Sequence, residues 1–144
     1  MFKGRYEHLI DGKGRLSIPS RFRDTLNERY DARLVVTNYD NCLIAYPLAE
    51  WTKLEDKIAT LPEFKKDTKA FLRFFYSSAT DCAIDRLGRI LLPQTLRDYA
   101  KLEKEVVLIG AFRHMEIWSK QLWDEAEKAA SQEDIVNTLE RLGL

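Results

Sequence analysis

Asp11-Gly-Lys-Gly-Arg-Leu-Ser-Ile-Pro19 is written a second time in this chain, as Asp85-Arg-Leu-Gly-Arg-Ile-Leu-Leu-Pro93. Each copy reads Asp-x-x-Gly-Arg, three residues of strand character, then Pro, and an arginine follows each Pro by four residues, Arg23 and Arg97. The same offset places Glu7-His8-Leu9-Ile10 on Asp81-Cys82-Ala83-Ile84. Once two residues are dropped from the second copy, Leu34-Val35-Val36 falls on Val106-Val107-Leu108, Leu43 to Tyr46 on Met115 to Trp118, and Trp51 on Trp123. A register that runs unbroken from Leu34 to Trp51 marks an internal duplication. The expected organisation is residues 1–77 as a first unit and 78–144 as a second. No low-complexity segment or long linker separates them, and strands of about four residues have too little core to stand alone. Their strands are therefore expected to mix in one shared barrel.

Working outward from the first copy, Tyr6 to Ile10 reads as a strand and Leu16-Ser17-Ile18 as its return, with Asp11-Gly12 as a hairpin signal between them. Pro19 ends the strand because it has no N–H to donate, and Ser20 is expected to cap a helix over Arg21 to about Glu28 with Phe22 and Leu26 on one face. Leu34–Thr37 and Cys42–Tyr46 read as a second hairpin around the turn-rich Asn38-Tyr-Asp-Asn41. Pro47 suits a helix entry, with Trp51, Leu54, Ile58 and Leu61 at helical spacing. A further helix, about Glu63 to Tyr76, carries Phe64, Phe71, Phe74 and Phe75 on its apolar side, expected in the core or at an interface. The second unit repeats the order: strands at Ser78–Ile84 and Arg89–Leu92, helix Gln94 to about Ala100, hairpin Glu105–Ile109 with Met115–Trp118. Ser119 and Ser131 then cap two last helices, the second resembling a capping box.

Composition excludes several classes. At 144 residues with 45% hydrophobic content the chain is a folded domain, and no apolar run approaches a bilayer span. Cys42 and Cys82 lack metal or disulfide spacing, and no leader pattern precedes the first strand, so a cytoplasmic protein with free thiols is expected. His8, His114 and the cysteines show no short zinc spacing, so no metal is expected. Gly12-Lys13-Gly14 lacks the remaining residues of a phosphate-binding loop, and neither histidine has a nucleophile at a readable spacing. No catalytic residue, cofactor or small-molecule substrate is expected.

Net charge is zero, yet residues 1–23 balance to +4 and residues 116–144 to −4. Such poles offer a basic face to phosphates while the acidic end meets solvent or another subunit. In the repeated motif, Asp11 and Asp85 are expected to accept turn N–H groups, while Gly14 and Gly88 supply left-handed backbone. The arginine that each turn holds forward suits phosphate or a guanine edge, and Lys13 adds a point charge beside Arg15.

The doubled Asp-x-x-Gly-Arg-x-x-x-Pro, the opening Met-Phe-Lys-Gly, Cys42-Leu-Ile-Ala-Tyr-Pro47 and the paired tryptophans resemble the MraZ family of bacterial transcriptional regulators over essentially the whole chain. The resemblance implies an α+β fold: a pseudo-twofold swapped-hairpin barrel of the AbrB and SpoVT kind, with flanking helices. It implies ring-shaped homo-oligomers, nucleoid association, and repression through direct repeats in double-stranded DNA upstream of the regulator's own gene, in the division and cell wall cluster. The basic motif residues fall on Lys13, Arg15 and Arg89, and Leu87 stands where the first turn has Lys13. With their basic neighbours, the residues expected at DNA are Lys3, Lys13, Arg15, Arg86 and Arg89. A different class, a non-catalytic scaffold ring binding proteins through its aromatic or acidic helices, is the alternative.

Overall fold

The computed structural model describes all 144 residues, Met1–Leu144. Its first half runs β1 (Arg5–Leu9), β2 (Arg15–Ser17), α1 (Ser20–Arg29), β3 (Arg33–Tyr39), β4 (Cys42–Pro47), α2 (Leu48–Ile58) and α3 (Lys66–Phe74). After a short 3-10 turn at Tyr76–Ser78 the order recurs: β5 (Thr80–Ala83), β6 (Arg89–Leu91), α4 (Gln94–Tyr99), β7 (Glu105–Gly110), β8 (Met115–Ser119), α5 (Lys120–Ala129) and α6 (Gln132–Arg141). The duplication in the sequence is thus a duplication of elements.

The halves exchange strands. Six strands form one antiparallel sheet in the order β1-β7-β8-β4-β3-β5, and β2 pairs with β6 in a separate ribbon. Hence β1 lies on β7 (Tyr6 opposite Leu108), β5 on β3 (Cys82 opposite Leu34), and β4 meets β8 at the centre (Leu43 opposite Ile117). The expected hairpin across Asp11-Gly12 does not form a ladder. A single bridge, Ile10 to Leu16, joins its flanks before β1 leaves for β7 and β2 for β6. The result is an α+β fold with a mostly antiparallel sheet. Its sheet order is linear, with β1 and β5 at the edges and the ribbon spanning beneath.

Alternation along the strands decides the core. Leu34, Val36, Leu43, Ala45, Cys82, Val106, Leu108, Met115 and Ile117 share one sheet face and pack against Leu16 and Ile90 of the ribbon, Phe22 and Leu26 of α1, and Leu96 and Ala100. The opposite face is covered too, as Val107 and Trp118 pack with Trp123 and Ala126 of α5. Trp51 of α2 stacks on Phe75 and Tyr76 and meets Tyr46 at a tilt, with centroids 5.6–6.1 Å apart. Burial on both faces is why Leu34 to Thr37 reads as an unbroken run rather than an alternation. No buried side-chain polar atom lacks a partner.

Several local expectations shift. The Asn38–Asn41 turn tightens to Asp40-Asn41, both at positive φ (48° and 68°), so β3 extends through Tyr39. These are the left-handed values a two-residue hairpin turn needs, and Asn and Asp tolerate them. Ser20 does not cap α1: the N-cap is Pro19, with no side-chain bond. Ser119 and Ser131 do cap, accepting from Leu122 N–H at 3.1 Å and Asp134 N–H at 3.2 Å. The helix expected from Glu63 begins at Lys66, and Phe64 (82% exposed) and Phe74 (71%) lie outside any core. Leu61 falls beyond the end of α2.

Candidate nucleic-acid interface

The two Asp-x-x-Gly-Arg turns close in the same way. Asp11 Oδ1 accepts the N–H groups of Lys13 (3.0 Å) and Arg15 (2.9 Å), and its Oδ2 accepts Arg15 Nε at 2.6 Å. Asp85 Oδ1 accepts from Leu87 and Arg89, both at 2.9 Å, and Oδ2 from Arg89 Nε at 3.2 Å. Gly14 and Gly88 N–H groups complete each turn on the Asp carbonyls at 3.0 Å. Three donors on one carboxylate favour its ionised form. The Arg15 N–H leads in holding Asp11 down at about 2, with the Arg15 guanidinium and the Lys13 N–H adding to it. Asp85 is lowered as well, led by the Arg89 N–H.

Each turn is locked by the other half. Gly14 has φ +92° and Gly88 φ +77°, where an L side chain is strained. Space is short there too. A Cβ on Gly14 would lie 2.5 Å from Leu92 O and 2.8 Å from Arg97 Nε, and one on Gly88 would lie 2.9 Å from the Arg23 guanidinium. Gly14 O accepts Leu92 N–H and Gly88 O accepts Ile18 N–H, both at 2.8 Å. Arg23 Nε donates to Ile18 O (3.1 Å) and Arg97 Nε to Leu92 O (3.0 Å). The arginines that follow each Pro by four residues therefore brace the opposite turn. Their recurrence was the only sequence signal for this, and their role comes from the strand exchange.

Pairing in the ribbon sets which side chains face out. Arg15 lies opposite Leu91, Leu16 opposite Ile90 and Ser17 opposite Arg89. Directly opposed residues share a face and neighbours along a strand alternate. Leu16 and Ile90 are buried, so Arg15, Ser17, Arg89 and Leu91 share the outer face. Arg15 and Arg89 are diagonal neighbours there, about 7–8 Å apart at the backbone. Their Nε atoms are held by aspartate, and their Nη atoms bond nothing in the chain, as is true of the Lys13 amine and the Arg86 guanidinium. Lys13 and Arg86 are exposed on the turns themselves. Lys3 is not brought to this group. The five residues of β1, about 17 Å of strand, separate it from the first turn, and it lines a shallow pocket with Tyr6, Arg21 and Asp24.

No group of three or more His, Cys, Asp or Glu side chains is placed to hold a metal ion. Cys42 and Cys82 are buried and unpaired, and burial pushes the Cys82 thiol up to about 11. No helix is long and apolar enough to cross a membrane.

Fold and turns together define a duplicated α+β protein whose halves complete each other around paired basic turns. The family described as "MraZ protein, putative antitoxin-like" matches it twice, over residues 1–74 and 75–144, and the chain belongs to this family. Relatives named "Transcriptional regulator MraZ" are similar along their length. The one from Desulforamulus reducens is 48% identical, covering 96% of this chain and 97% of its own, and that from Caldicellulosiruptor saccharolyticus is 45% identical over the whole of both. A third, from Moorella thermoacetica, is 50% identical over 87% of this chain and 85% of its own. They are named as transcriptional regulators, not as enzymes.

Proposed function

We propose that this protein is a sequence-specific, non-catalytic DNA-binding transcriptional regulator, and that the ribbon's outer face is its reading surface. The observation that carries this is the fixed fork: two arginines on one exposed face, each aimed by an aspartate that takes Nε and leaves the Nη pair free. Guanidinium groups so held bond phosphate oxygens or guanine O6 and N7 in pairs. Arg15, Arg89, Lys13 and Arg86 make the contacts in this reading, and Lys3 reaches only a separate stretch of backbone.

A subunit of zero net charge neutralises few phosphates, so affinity needs several copies on one duplex. A ring of subunits on direct repeats upstream of the protein's own gene, acting as a repressor on the nucleoid in the cytoplasm, meets that need. Strand exchange between the halves supports the swapped-hairpin description, and a barrel formed by sheet and ribbon together is part of this proposal. Self-association is supported by α6, whose Ile135, Val136 and Leu139, with Leu142 just past its end, are all at least 41% exposed. A helix with such a stripe covers it against another surface.

The test is a gel shift with the DNA upstream of the gene, comparing wild type and Arg15→Ala at two salt concentrations. Wild-type binding falls steeply with salt, and Arg15→Ala weakens it at least tenfold while its circular dichroism is unchanged. An intact shift in Arg15→Glu would overturn the reading and favour the scaffold, for which the exposed Phe64, Phe74 and α6 surfaces are the alternative sites.

A further inference from the structure

The two halves match in backbone but not in what they present at the interface. Leu91 lies directly across the ribbon from Arg15 and is 59% exposed, whereas the equivalent place beside Arg89 holds Ser17. Leu87 is 70% exposed on the second turn, its N–H bonded to Asp85 as that of Lys13 is to Asp11. An exposed leucine is ordinary by itself. These two stand among Arg15, Arg86, Arg89 and Lys13, on the surface where the free guanidinium ends are offered, and neither belongs to a hydrophobic cluster of the fold.

We propose that Leu91 and Leu87 contact thymine C5-methyl groups in the major groove, beside the bases or phosphates held by Arg15 and Arg89. The thymine methyl is the one apolar feature on the major-groove edge of a base pair, and small apolar side-chain contact is how it is told from cytosine. The placement also gives the surface a direction. Arg15 is flanked by Lys13 and Leu91, and Arg89 by Leu87 and Ser17. A pseudo-twofold protein therefore reads a sequence that is not a palindrome, and successive copies in one orientation read repeats in one orientation.

This rests on the DNA-binding reading, and the experiment separates the two. The promoter fragment is prepared with thymidine or, throughout, with deoxyuridine, which keeps pairing and charge and removes only the methyl groups. Binding of wild type, Leu91→Ser, Leu87→Ser and the double variant is measured on both. Wild type prefers the thymidine fragment by about threefold to fivefold for each leucine, the worth of one buried methyl-sized group. Each single variant loses part of that preference, and the double variant binds both fragments equally. Equal binding of both fragments by wild type, or a preference retained in the double variant, overturns the methyl contact and leaves DNA binding standing. Failure of wild type to bind either fragment overturns both readings.

Discussion

Asp11 has a single place to put its charge, and three donors depend on it. Its carboxyl is held at about 2 against 3.8 for an ordinary aspartate. A depressed folded-state value means stability that is present above the unfolded value and lost as pH falls through the folded one. Asp11 therefore contributes fully above about pH 4 and loses that contribution between about pH 4 and pH 2, with Asp85 shifted in the same direction. Asp11→Asn keeps an acceptor at Oδ1 but cannot titrate. Thermal melts at a series of pH values should show wild type above the variant near neutrality, with the gap closing between pH 4 and pH 2. A gap that is constant across the series would place the carboxylate outside the turn's stability. At this scale much was legible: Asp before a glycine turn predicted the N–H acceptance seen at both copies. The bracing by Arg23 and Arg97 was not, because each arginine, bonded to a carbonyl of its own half, is seated against the glycine of the other half's turn.

Among the elements, α6 is the least attached. It has its Ser131 cap and a complete helix, yet none of its residues is buried. Replacing both Ile135 and Leu139 by Ser should change single-chain stability by no more than about 0.5 kcal/mol per site, the usual range for surface positions. The same change should lower the mass measured by light scattering toward that of a single chain, and remove any concentration dependence of the melting temperature. An unchanged mass would move self-association to another surface. The elements also show where local pattern stops being informative. Alternation and turn residues located nearly every strand, since those signals act within a few residues. Partners were less legible, because Asp11-Gly12 specifies a tight turn and does not specify that its flanks stay together. In this fold each flank finds more apolar surface across the chain, Tyr6 against Leu108 and Leu16 against Ile90. Phe64 and Phe74, expected in the core or at an interface, are left outside the chain's own core. A phenylalanine predicts burial somewhere, and here the chain itself supplies no cover.

On the scale of the whole molecule, neither half owns its sheet. β1 and β7, β3 and β5, β4 and β8, and β2 and β6 each join elements across the repeat or around its centre, and each turn's glycine is seated against an arginine from the other copy. The loop between α2 and α3, residues 59–65, which every path from β4 to β5 must cross, is by contrast exposed throughout and outside every strand. Continuity of the polypeptide is thus a convenience rather than a structural requirement. Fragments 1–62 and 63–144, produced separately, should each lack cooperative melting, and on mixing should regain one transition and the wild-type circular dichroism. Such complementation from a severed chain would make the present molecule the fused descendant of an obligate pair, in which two identical short proteins once traded the strands that one gene now carries in tandem.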